Sequence, residues 1–419
     1  MKRIIVIALI IMMVAALAAC GGENMGSGNG EGTEVIAQSS TEDQQGQTEV
    51  PEGTDQKATD FVVRLLKASN DSGKNTLISP LSVISALTMT ANGAGGETLK
   101  QMEEALGMPL EELNAYLTAY MNSLSDSDKY KMDLANSIWF TSKDSFTVNE
   151  DFIKENVAKF GADIYKAPFD DSTLKDINKW VKEKTDGMIP KILDQISEDA
   201  VMYLINALAF EAEWGEPYFD FQVQKDDFTA EDGSKERVEL MHSTEGTYLE
   251  SEDATGLVKY YKGGKYAFAA LLPNEGVTVD ELITNLDGNK LYEILANRKD
   301  TEVIAAIPKF ETSFDIEMSD VLKGMGMIDA FDAGKADFTA LGTSDENNIF
   351  ISRVIHKTFI SVAEQGTKAG AATLVEMTEG CALSEEEPKE VILNRPFVYM
   401  LIDCETWTPF FIGTLMHVK

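Results

Sequence analysis

Side chains that attack, ligate or hold phosphate are few in this 419-residue chain, and their spacings favour no enzyme chemistry. The three histidines, His242, His356 and His417, lie outside any HExxH-like pattern for a metal. No GxSxG turn raises a serine nucleophile, and no GxxxxGKS/T loop cradles phosphate. Asn92–Gly96 and Lys262–Gly264 lack the strand-then-helix setting of a dinucleotide site and read as turns. The carboxylates are abundant, but sequence alone sorts none into an acid/base pair. We therefore expect neither an enzyme nor a cofactor. One segment is built differently from its surroundings: EQGTKAGAATLVEM, Glu364–Met377, is small and almost uncharged. Its Gly and Ala make a poor strand, and its Thr and Gly a poor helix.

The rest of the chain is strongly acidic, with 70 Asp and Glu against 36 Lys and Arg and a net charge of −34. That balance excludes a phosphate-binding surface for nucleic acid. It suits a soluble, self-repelling protein outside the cytoplasm, expected to act as a monomer. At the N-terminus, Lys2 and Arg3 precede an apolar run ending in LAAC, Leu17–Cys20. A basic start, an apolar core and small residues at its end read as a secretory signal over residues 1–19. The LAAC ending resembles the bacterial lipobox, which implies a lipidated Cys20 and a membrane-anchored, cell-surface lipoprotein facing outside. A retained membrane-spanning helix is the alternative. Of the other cysteines, Cys404 reads as a buried strand residue and Cys381 as exposed, both free thiols.

Elements that could position the odd segment follow from periodicity. Residues 20–57 are polar and acidic, too poor in apolar groups to offset their ordering entropy, and read as a flexible tether. Order is expected from Ala58 to Lys419 as one domain. Phe61, Val62, Leu65 and Leu66 share a helical face. A buried helix follows from Leu81, then a break at Gly93–Gly96 and a short helix ending near Gly107. Ile177, Trp180 and Val181 set a further helix that stops at Gly187 and Pro190. YAFAALLPN, VIAAIPKF, HKTFISVAE, EVILN, PFVYMLID and FFIGTLMHV read as strands. Helices mostly first and strands mostly last indicate an α+β fold.

Six segments in order resemble the serpin family. The five longer ones are NTLISPLSVISALTM (Asn75–Met89), INKWVKEKTDGMIPKIL, LINALAFEAEW, HKTFISVAEQGTKAGAATLVEM and ILNRPFVYMLI, with IPKFE (Ile307–Glu311) standing between the third and the last two. Met188 departs from the usual Lys of the second, and Glu211 and Glu213 from the usual basic residues of the third. The resemblance implies three β-sheets surrounded by about eight or nine helices, with an exposed reactive-centre loop over about 364–393. It implies an inhibitor of serine proteases that works as a suicide substrate. The protease cuts the loop and is held as an acyl-enzyme while the loop enters the main sheet as a new strand. A non-inhibitory binding protein and an inhibitor of papain-like cysteine proteases are the alternatives.

Alternation supports insertion. Thr367, Ala369, Ala371, Thr373, Val375 and Met377 form an uncharged row, whereas Lys368 and Glu376 fall in the opposite row. Glu364, Gly366, Thr367, Ala369 and Ala371 make the hinge that the resemblance implies, with Gly366 free in its backbone. Counting as the family does from Glu364 lands on Gly380. Glu379, Gly380 and Cys381 are therefore all candidates for the scissile residue, with cleavage before Ala382 preferred. Cys381 would suit the shallow pocket of an elastase-like or subtilisin-like enzyme. No Lys or Arg occurs between Lys368 and Lys389 for a trypsin-like one. The resemblance also assigns Ser79, Ser82, Asn206 and His356 to a polar cluster where sheet strands part, and Trp214 to the top of that sheet.

Overall fold

The computed structural model describes residues 32–37, 49–124, 129–197, 200–345, 348–367 and 387–418. Among these, nine α-helices pack around three β-sheets, the expected α+β arrangement.

The first sheet has seven strands. Across it run β1 (Glu34–Ala37), β5 (Asp163–Ala167), β3 (Tyr130–Thr141), β6 (Met202–Glu213), β15 (Gly366–Thr367), β14 (Ile355–Ala363) and β12 (Phe310–Glu317). Neighbours are antiparallel except β3 and β5. The second has nine strands: β16 (Lys389–Ile392), β11 (Lys299–Pro308), β8 (Lys235–Glu250), β9 (Ala254–Tyr260), β10 (Tyr266–Pro273), β17 (Phe397–Asp403), β18 (Pro409–Leu415) and β2 (Thr76–Ile78), with β7 (Val223–Thr229) also on β8. The third pairs β4 (Phe146–Val148) with β13 (Gly342–Ser344).

The helices are α1 (Thr54–Ser69), α2 (Pro80–Ala91), α3 (Gly96–Leu106), α4 (Leu110–Ser123), α5 (Glu150–Phe160), α6 (Asp171–Lys184), α7 (Val279–Asn285), α8 (Gly288–Ala296) and α9 (Ser319–Gly324). Local chemistry fixes those that matter most to the site. Ser79 caps α2, its hydroxyl accepting the Ser82 N–H, and Pro80 supplies a first-turn residue that needs no donor. Asp170 caps α6 by accepting the Ser172 and Thr173 N–H groups. Ile177, Trp180 and Val181 then turn that helix onto the sheet, over Trp139, Tyr165 and Ile205. A larger continuous core lies under the rest of the fold.

Four expectations need correction. The supposed tether contributes β1, which pairs with β5 through Val35–Tyr165, and Thr33 Oγ1 donates to Asp176 of α6 at 2.8 Å. Joining a sheet edge requires backbone pairing rather than core side chains, so composition did not reveal it. Helix α1 begins at Thr54, ahead of the expected Ala58. The longest strands, β3, β6 and β8, lie mid-chain, so helices do not simply precede strands. Cys404 sits just past β17, half-buried, with its thiol pushed up to about 12, mainly by burial. Cys20, Ala369, Ala371, Glu379, Gly380, Cys381 and Ala382 lie outside the described residues.

Candidate functional site: a seam in the seven-stranded sheet

β14 alternates buried His356, Thr358, Ile360 and Val362 with half-buried Ile355, Lys357, Phe359 and Ser361. β6 carries Asn206, Leu208, Phe210 and Ala212 at matching positions. The two-residue β15 lies between these strands, antiparallel to both: Thr367 pairs with Val362 and Ala212, and Gly366 with Ala363 and Glu213. Among the described residues, nothing pairs with both strands below Thr367. The seam there is marked by three cavities. One of about 10 Å³ lies against Thr367, Ile360 and Phe210, and one of about 20 Å³ against Ser79, Asn206 and His356. The last, of about 500 Å³, opens between α2, the start of β6 and the residues leading into β14.

The top of the seam is held tightly. A Cβ on Gly366 would stand 2.0 Å from the Ala212 carbonyl oxygen, so the sheet's close approach demands glycine here. Its φ of 155° is also one that residues with a Cβ rarely adopt, so the expected backbone freedom and the close approach both call for glycine. Trp214 is buried, with its indole N–H donating to the Ala363 carbonyl at 2.8 Å and its ring stacked 4.5 Å from Tyr261. The Tyr261 hydroxyl in turn shares a hydrogen bond with the Thr367 hydroxyl. The Trp214 and Tyr218 N–H groups donate to the Gln365 and Glu364 carbonyls, each at 2.9 Å. Burial opposes ionisation of Glu364, but the Lys309 ammonium at 2.8 Å outweighs it and holds the carboxyl below its usual range.

Midway down, Ser79, Ser82, His356 and Asn206 line one small cavity but hydrogen-bond in two separate groups. On one side the Ser79 N–H donates to His356 Nε2 at 3.0 Å, and the Ser79 hydroxyl donates to Ser82 Oγ at 3.1 Å. Burial lowers the His356 pKa to about 4, so the ring is neutral at pH 7 and accepts through Nε2. On the other side Asn206 Nδ2 donates to Asn136 Oδ1 at 2.8 Å, and Asn136 Nδ2 to the Phe160 carbonyl at 2.9 Å. Asn206 Oδ1 is buried without a partner. Buried acceptors are normally satisfied, and leaving one open costs about 1–3 kcal/mol.

Outside the seam, the chain following α6 lies across it. Met188 and Ile189 line the upper cavity, Ile189 and Ile192 the middle one, and Asn178 Oδ1 accepts the Ile192 and Leu193 N–H groups. Lys131 of β3 bonds Asp186 at the end of α6. Tyr261, Lys309 and Asn136 were missed in sequence because each is far along the chain from what it touches. Among the described residues, no group of three or more His, Cys, Asp and Glu side chains could hold a metal ion.

Comparison with known proteins adds to this geometry. The family described as Serpin (serine protease inhibitor) matches residues 56–418. An uncharacterized serpin-like protein of Thermococcus kodakarensis is 31% identical, over 86% of this chain and 84% of its own. The leukocyte elastase inhibitor of Xenopus laevis is 29% identical, over 85% and 97% respectively. The crystal structure of a thermophilic serpin, tengpin, in the native state is 46% identical with a TM-score of 0.85, over 92% of this chain and all of that one.

Proposed function

The chain belongs to the serpin family, and from that premise we propose that it is a suicide-substrate inhibitor of extracellular serine proteases with elastase-like or subtilisin-like specificity. The observation that carries this reading is β15: the hinge already occupies the first step of a strand between β6 and β14. An inserted strand that kept this register would set Ala369 beside Phe210 and Ile360, Ala371 beside Leu208 and Thr358, and Thr373 between Asn206 and His356. In such a strand the uncharged row would follow Thr367 onto the core side, with Lys368 opposite. A threonine hydroxyl both donates and accepts. At that position Thr373 would offer Asn206 Oδ1 its missing donor and join the two halves of the polar cluster.

The chemistry is then a race. The protease serine attacks the carbonyl of the scissile residue and forms an acyl-enzyme, releasing the new N-terminus on the β16 side. Loop insertion carries the ester-linked protease away before water can hydrolyse it. An incomplete sheet supplies the driving force, since the new strand pairs on both edges and buries its inner row. We place cleavage at Cys381–Ala382, with Cys20 as a lipid anchor holding the inhibitor at the cell surface.

The test mixes the chain from Gly21 onward, which keeps β1, with neutrophil elastase and resolves the products on a denaturing gel. A covalent band that survives denaturation is expected, with Ala382 as the first residue of the released peptide. Cleavage without a band, and without any gain in heat stability, would count against the trap.

A further inference from the structure

Phe219 and Phe221 stand out from the surface, 41% and 77% exposed, with their rings stacked 5.6 Å apart at 8°. No other phenylalanine among the described residues is so exposed. Their short turn is fixed: the Phe219 N–H donates to Gln222 Oε1 at 2.9 Å, and Gln222 Nε2 donates to the His242 carbonyl at 3.1 Å. Its base is fixed as well. The buried Tyr218 ring lies 4.5 Å from Lys259 Nζ, and Lys259 pairs with Glu245 at 2.7 Å. Two rigid aromatic rings held in water are a poor use of apolar surface unless something covers them.

Their position says what that is. The preceding Tyr218 N–H holds the Glu364 carbonyl, in the turn between β14 and the hinge strand β15. The following Gln222 bonds His242, which pairs with Ala306 of β11, itself paired with Ile392 of β16 where the chain returns. The pair therefore lies between the two roots of the loop, on the end of the molecule that a loop-bound protease must face. Exposed Glu216 and Asp220 flank it, so the complementary surface is apolar and basic.

We propose that Phe219 and Phe221 form an accessory docking surface for the body of a cationic, elastase-like protease, contacting it outside the active-site cleft. This rests on the protease-inhibitor reading above. The surface is preorganised, so the contact should speed capture without altering the later race between insertion and hydrolysis. A second copy of this chain is the rival occupant, disfavoured by its charge of −34.

The experiment compares the second-order rate of covalent complex formation with neutrophil elastase for the parent, the F219S/F221S variant and I328S. Ile328 is an exposed apolar residue of the chain between α9 and the turn at Asp329–Phe331. The double variant should associate about tenfold more slowly or worse, with unchanged stoichiometry and thermal midpoint, while I328S matches the parent. Equal rates for parent and double variant would overturn the docking surface. So would a concentration-dependent dimer of the parent that the double variant abolishes without change in rate. A parent that forms no complex at all would instead sink the inhibitor reading on which the proposal stands.

Discussion

The centre of the nine-stranded sheet and the seam of the seven-stranded one are built on opposite terms. Every residue of β10 and β17 is buried, and β10 is paired on both sides from Ala267 to Leu271. Phe268, Tyr399 and Phe310 fill the space between with stacked and edge-on rings. The seam has strands unjoined below one pair of residues and three cavities. Unpartnered buried polar atoms do not separate the two regions, since the Tyr266 and Tyr399 hydroxyls lack partners as Asn206 Oδ1 does. One region is finished and supplies stability. The other is left unfinished, and that shortfall is where a two-state element can store its bias.

The largest effect should come from spoiling the seam's completion. Thr373→Arg would bury a charge between Asn206 and His356, at a cost of several kcal/mol. If the chain traps proteases as proposed, this change should make it a substrate instead, with stoichiometry against elastase rising at least about 100-fold. Glu376→Ala, in the outward row, should leave stoichiometry near that of the parent. If the two behaved alike, the inserting row would be misassigned.

The finished region should lose more from truncation than the seam does. Phe268→Ala removes a fully buried ring and should cost about 3–5 kcal/mol of stability in urea unfolding. Asn206→Ala loses one bond to Asn136 but also an unpartnered acceptor, so about 1 kcal/mol is expected. Similar losses at the two sites would erase the contrast.

Acid should act through the seam. His356 has a folded-state pKa of about 4 against 6.5 unfolded, so between those values the unfolded chain binds more protons. Its contribution is present above pH 6.5 and is lost as pH falls towards 4, on the order of 3 kcal/mol. His356→Gln should flatten that part of the stability profile, and an unchanged slope would assign acid sensitivity elsewhere.

The smallest effect is expected at the hinge. Lys309→Ala removes the partner of Glu364, a half-exposed pair worth about 0–1 kcal/mol. The pair stabilises above the ordinary Glu pKa and fades as pH falls through the lowered one. A thermal midpoint unchanged at pH 7 within a few degrees, with faster spontaneous loss of inhibitory activity, is the predicted signature.

Local signals explain what was readable beforehand. The Ser79–Pro80 cap, the Ile177–Trp180–Val181 face and the apolar runs of β10, β14 and β17 announce their elements, because capping and periodicity act over a few residues. The alternation after Gly366 was legible for the same reason, and of its uncharged row only Thr367 is among the described residues, buried beside Val362 and Ala212. By contrast, β1 looked like linker because edge pairing uses backbone alone. β8 was not singled out, and its mixed polar surface gave little strand contrast. The split between His356 and Asn206 depends on two strands meeting from 150 residues apart, about which neither neighbourhood says anything.

The most direct test of the unfinished seam is the thermal midpoint before and after cutting the loop with a protease that is not trapped. Insertion of the freed loop should pair both seam edges and raise the midpoint by more than about 10 °C. A nicked chain that melts with the intact one would mean that the seam is not reserved for its own loop.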